Sequence, residues 1–141
     1  MTQEGFPEIR HCVVCQEVKH KRGKPPALIG FYGIAPDATV RITETGLRLY
    51  RLTFFVMGVE RQGGGTFPIA VAISDENGTG IGRKTNERHV SVPSDGLSLP
   101  ISMTNLKFPH AGRYVFTLFV EGRPHYQTSF EVVLEQPDSP R

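Results

Sequence analysis

The stretch GRYVFTLFVEGRPHYQTSFEVVL, residues 112–134, decides the fold. Tyr114, Phe116, Leu118 and Val120 alternate along one face of a strand. Glu121-Gly122-Arg123-Pro124 makes a turn, and Tyr126, Thr128, Phe130, Val132 and Leu134 form the matching face of a second strand. Period two is the signature of β-structure, because successive side chains on a strand point to opposite sides. No window of the chain shows convincing helical periodicity.

The same alternation extends outward from this pair. Leu97, Leu99, Ile101 and Met103 alternate cleanly, and Phe67, Ile69, Val71 and Ile73 share a face. Residues 47–60 are apolar on both faces in their second half, as a central strand covered on both sides is. That segment and the one after Gly63-Gly64-Gly65 read as a hairpin with a flexible loop. Ile9 to Lys19 reads as a strand with Ile9, His11, Val13 and Cys15 on one face and Cys12, Val14 and Val18 on the other. Pro25-Pro26 breaks the chain, and Ala27 to Ile34 reads as a short buried strand. Residues 38–43 suit an edge strand, and 89–92 suit one short strand. Asp75 to Gly82 is a turn-rich excursion.

Fifteen glycines and eleven prolines suit many short strands and tight turns better than long helices. About seven to nine strands result, the number and spacing of a single antiparallel β-sandwich of the all-β class. Its expected span is 6–135, with flexible termini at 1–5 and 136–141. Helix is confined to a turn or two within 76–96 or 103–111.

A chain of 141 residues fits one domain and buries enough surface to need no covalent staple. Hydrophobic content of 38% with 21% charge excludes a disordered or membrane-spanning helical chain. The first residues carry no apolar stretch of the secretory kind. Two cysteines in such a chain read as reduced thiols, and the expected location is the cytoplasm. The formal net charge of +2 selects no class of partner.

Within FPHAGRYVFTLFV, residues 108–120, a loop ending in Ala-Gly is followed by Arg113, Tyr114 and an alternating strand. This resembles the corner between the fifth and sixth strands of immunoglobulin-like sandwiches. The resemblance implies that Tyr114 turns its ring into the core and sends its hydroxyl back to the preceding loop. The chain departs from the antibody pattern. Phe116 stands where the antibody cysteine would be, and there is no tryptophan, so packing alone must hold the sheets together. CVVCQEVKHKRGKPPALIGFYG (residues 12–33), LSLPI (97–101), GRYVFTLFVEGRP (112–124) and SFEV (129–132) resemble small bacterial proteins of a domain-of-unknown-function class. That resemblance implies a cytoplasmic bacterial β-sandwich and brings no activity.

Cys12-Val13-Val14-Cys15 has the spacing of redox and zinc motifs. On a strand, however, residues three apart point to opposite faces, so the two thiols do not meet. They read as small buried hydrophobes. His11 and Cys15 share a face but lie ~13 Å apart along a strand, too far to chelate one ion. Asp75, with Glu76 and Asn77, forms an acidic turn that supplies too few oxygens for calcium unless Asp37 or Asp95 joins it. Cys12, Cys15 and Asp75 are therefore weak metal candidates, and no metal or cofactor is expected. GTGIGRKT, residues 78–85, lacks the spacing of a phosphate-binding loop.

Lys19, Lys21, Arg22 and Lys24 crowd one turn, while Arg83, Lys84 and Arg88 sit in a later loop. Together they would make a basic patch if the two loops shared one end of the sandwich. No aromatic residue interleaves with them, so base stacking is unsupported and nucleic acid is not the expected partner. No Ser/His/Asp order or close carboxylate pair points to hydrolysis. The expectation is a non-enzymatic sandwich that binds a protein partner or itself. Val115, Thr117 and Phe119, more apolar than a solvated sheet face needs, are the candidate contact surface. The alternative is a metal- or nucleic-acid-binding module built on residues 11–24 and 83–89.

Overall fold

The computed structural model describes residues 6–19, 22–43, 46–58, 65–82, 85, 87–92 and 97–135. The expected flexible termini, 1–5 and 136–141, lie outside these residues. Ten strands follow one another: β1 (Ile9–Lys19), β2 (Ala27–Ile34), β3 (Thr39–Ile42), β4 (Arg48–Gly58), β5 (Gly65–Asp75), β6 (Gly80–Ile81), β7 (Arg88–Val92), β8 (Leu97–Lys107), β9 (Gly112–Val120) and β10 (Arg123–Leu134). They form an all-β sandwich of two sheets. One sheet has the order β2-β1-β4-β8; the other has the order β3-β10-β9-β5-β6, with β7 pairing β5 beside β6.

The two strands of the decisive stretch pair as a hairpin, with Val120 opposite Arg123. Glu121 and Gly122 between them both have positive φ (52° and 78°). Two such residues make the tight turn whose twist matches that of the flanking strands. Tyr114, Phe116, Leu118 and Val120 are all fully buried. They lie beside Ile69, Val71 and Ile73 on the same sheet and share the core with Leu52, Phe54 and Val56 of the opposing one. The Phe54 and Phe116 rings stack across the two sheets with centroids 4.1 Å apart. Apolar packing thus links the layers where antibody domains use a disulfide.

Several expectations need correction. β4 and β5 are not a hairpin: β4 belongs to the first sheet and β5 to the second. The chain therefore crosses from one sheet to the other between Gly58 and Gly65. The sandwich is not purely antiparallel, since β3 runs parallel to β10 at the sheet edge. Among the described residues no helix occurs; residues 103–107 complete β8, and the excursion after Asp75 holds the two-residue β6.

Ile9 joins Cys12 and Val14 in the core rather than sharing a face with His11 and Val13. A register shift between Ile9 and His11 inserts an extra residue and flips the face. β2 is not a buried strand: Leu28, Ile29, Phe31 and Ile34 are all exposed. It lies at the edge of its sheet, where one flank has no neighbour.

Candidate functional site

Alternation on β4 sends Leu52, Phe54 and Val56 into the core and turns Thr53 and Phe55 to the outer face of the four-stranded sheet. Cross-strand partners share a face. One row across that outer face is therefore Ile34, Val13, Phe55 and Pro100, and the next is Phe31, Cys15, Thr53 and Ser102. The middle of these rows is closed. Val13, Cys15, Thr53 and Phe55 are buried, and the Thr53 hydroxyl lies 2.8 Å from that of Ser102 and 3.0 Å from the Gln16 carbonyl oxygen. The β2 end is open, with Phe31 60% and Ile34 51% exposed.

One row further on, the face becomes charged. Ile29 lies opposite Glu17, whose carboxylate accepts a 2.9 Å hydrogen bond from Arg51 Nη1, and Arg51 lies opposite Thr104. The Arg51 Nε is buried and makes no hydrogen bond with a described residue. Next come Tyr50 and Asn105, which fall between the Arg51–Thr104 and Leu49–Leu106 pairs. Asn105 has a left-handed backbone (φ 54°), a conformation its short polar side chain tolerates. The irregularity flips the faces, so that Met103 and Leu106, three apart, are both buried. Beyond it Arg48 and Lys107 stand directly opposite each other. Arg48, Leu49, Tyr50, Asn105, Leu106 and Lys107 line a shallow cleft in which Tyr50 is 70% exposed.

The expected contact surface is on the other sheet. Val115, Thr117 and Phe119 face outward from β9, opposite Ser74, Ala72 and Ala70. Thr117 is buried and accepts a 3.0 Å hydrogen bond from Gln127 Nε2, and Val115 and Phe119 are half-buried. That face is small-residue and largely closed, unlike β2.

Of the expected basic patch, Lys21, Arg83 and Lys84 lie outside the described residues. Lys19, Arg22 and Lys24 are exposed at the β1–β2 turn. Arg88 is on β7 opposite Ile69 and lines a crevice with Ile101 and Ser102. That crevice runs along β8, three strands from β2, so Arg88 does not join the turn.

Cys12 and Cys15 are both free and buried. Cys12 lies opposite the core residue Val56, and Cys15 lies opposite Thr53 on the outer face. Burial pushes the Cys12 thiol up to about 12, with Cys15 adding to the effect. Burial also raises the Cys15 thiol, which points at the Glu17 carbonyl oxygen 3.7 Å away. Neither thiol is poised as a thiolate for redox or metal chemistry.

Asp75 closes its own turn. One carboxylate oxygen accepts hydrogen bonds from the Asn77 and Thr79 amides, each at 2.9 Å. Among the described residues no group of three or more His, Cys, Asp or Glu side chains is placed to hold a metal. His89 is exposed on β7, His110 sits in the loop before β9, and His125 on β10 packs against Phe6 with Nε2 2.9 Å from the Pro7 carbonyl oxygen. His20 lies outside the described residues, and the described histidines do not converge. Tyr114 is fully buried, and its hydroxyl donates to the His110 carbonyl oxygen. Among the described residues no helix is long and apolar enough to cross a membrane.

The open apolar strand and the cationic cleft both escaped sequence reasoning. The first has the composition of a core strand, and the second joins residues far apart in the chain.

No family model and no curated protein matches the chain. Among solved structures, the chain is similar to a Pseudomonas fluorescens alkylpurine DNA glycosylase, AlkC, bound to DNA containing an abasic site analog. The TM-score is 0.44 with 16% identity, over 67% of this chain and 27% of that one. It is also similar to a Listeria innocua beta-glucosidase in complex with glucose, with a TM-score of 0.44 and 12% identity, over 81% of this chain and 19% of that one. The chain thus spans about a quarter or less of the length of either enzyme.

Proposed function

We propose that this chain is a non-enzymatic β-sandwich module that associates with a second copy of itself through the exposed apolar residues of β2. The observation that carries the reading is the exposure of Phe31 and Ile34, with Leu28 and Ile29, on one edge strand. Large apolar side chains grouped in this way mark interaction surfaces, whereas scattered ones do not. The ends of β2 favour a two-fold arrangement. Exposed Arg22 and Lys24 precede the strand, and exposed Asp37 follows it. In an isologous antiparallel contact, the cationic start of one strand meets the anionic end of its mate. A binding role also suits the buried, protonated thiols, which offer no ready nucleophile.

Sedimentation velocity over a wide concentration range tests this. The expected result is a concentration-dependent dimer that dissociates when Phe31→Ser and Ile34→Ser are combined. A monomer at every concentration, or a dimer indifferent to the double variant, would refute the reading.

A further inference from the structure

We propose a second site on the same outer face: the β4–β8 cleft binds a nucleotide unit, with its phosphate on Arg48 and Lys107 and its base on Tyr50. Arg48 and Lys107 are cross-strand partners, and like charges held directly opposite destabilise a sheet. Neither has a carboxylate partner among the described residues, where Glu17 is taken by Arg51 and Glu8 by Arg10. A lysine on an edge strand can serve only to block aggregation, and β8 is an edge. Arg48 has no such role, because β4 lies between β1 and β8. An anion set between the two side chains would relieve their repulsion.

The aromatic residue missing from the basic turn at 19–24 is supplied here by β4. Tyr50 is the most exposed of the large apolar side chains among the described residues, with the Arg51 guanidinium carbon 6.0 Å from its ring centroid. A base stacks on such a ring without hydrogen-bond readout, and arginine beside it strengthens the platform. Asn105, in the same cleft, offers an amide donor and acceptor. Because β1 and β4 are antiparallel, the end of β1 and the start of β4 lie at the same end of the sheet. Exposed Lys19, Arg22 and Lys24 therefore stand at the end of the sheet that holds the cleft, beyond the Glu17–Arg51 pair. A shallow cleft with further cations at the same end of the sheet fits a unit within a single strand, although a free nucleotide shares the chemistry.

Fluorescence anisotropy at low salt tests the site, using a labelled single-stranded oligonucleotide in one arm and AMP as competitor in the other. Wild-type protein is expected to bind, with the logarithm of its affinity falling linearly with the logarithm of salt concentration. Arg48→Glu with Lys107→Glu should weaken binding about tenfold or more. Tyr50→Ala should weaken it about tenfold, and Tyr50→Phe should restore it. All three side chains are exposed, and circular dichroism checks that each variant is folded. Binding of the oligonucleotide alone assigns the site to a strand; equal competition by AMP assigns it to a free nucleotide, and both outcomes support the site. Absence of binding in both arms, or binding unchanged by either the charge reversal or Tyr50→Ala, overturns it.

Discussion

The Tyr114 hydroxyl donates to the His110 carbonyl oxygen at 2.6 Å, tying the start of β9 to the loop that precedes it. The ring beneath is wedged between Phe108, at 4.9 Å, and Phe130, at 6.1 Å. Burial pushes the hydroxyl up in pKa, so it remains a donor. Tyr114→Phe preserves the packing and leaves the carbonyl without this partner. It should lower stability by about 1–3 kcal/mol in urea unfolding. An unchanged midpoint would show that water replaces the hydroxyl at no cost.

Phe54 and Phe116 stack across the sandwich, and Phe54 also meets Phe130 edge-on at 5.4 Å. With no disulfide between the sheets, this trio joins the layers by ring contact alone. Phe116→Ala should cost about 3–5 kcal/mol through lost burial and a residual cavity. A double-mutant cycle of Phe54→Leu and Phe116→Leu should return a coupling of about 0.5–1.5 kcal/mol. Additive effects in that cycle would mean the stack contributes only its buried area.

Cys12 makes stability fall at high pH. Burial raises its thiol from 9.0 to about 12 in the folded chain. Between those values the unfolded chain has lost the proton and the folded chain still holds it. The unfolded state then binds fewer protons, so stability declines with rising pH. Below pH 9 the contribution is fully present. Tyr32, Tyr114 and Tyr126 are raised by burial as well and act in the same sense. The comparison must therefore be between wild type and Cys12→Ala. The variant should show a shallower alkaline decline in its urea midpoint, and parallel declines would remove Cys12 as the cause.

Period two made the bounds of β1 and β2 and the existence of the β9–β10 hairpin legible, because a strand's alternation is local. The turn itself is Glu121-Gly122, and β10 already starts at Arg123. Sheet membership is not local. Residues 47–60 and 66–73 look alike to a reader of pattern, yet β4 and β5 belong to different sheets. The faces of β1 were obscured by a register shift at Ile9–His11, and the alternation of β8 breaks at the left-handed Asn105; neither leaves a mark in hydrophobicity. β2 misled for a different reason. ALIGFYGI has the same composition whether its apolar side chains meet the core or stand open. The Arg48–Lys107 pair joins strands more than fifty residues apart, so no motif could announce it.

Gly33 tests how tightly the chain turns from one sheet into the other. It lies opposite Val14 at a register shift in β2, with φ at 133°. A Cβ there would lie 2.9 Å from the Ala38 Cα, backbone that cannot swing aside like a side chain. Gly33→Ala thus meets both a disfavoured backbone conformation and a clash with the segment leading into β3. It should cost about 1–3 kcal/mol or more. Gly80 supplies the contrast, since its φ is not positive and a Cβ there meets nothing within 4 Å. Gly80→Ala should be neutral or stabilise by about 0.4–1 kcal/mol through the unfolded chain. Thermal unfolding of the two variants side by side separates the effects. Equal midpoints would mean that the β2–β3 corner relaxes freely around the added methyl.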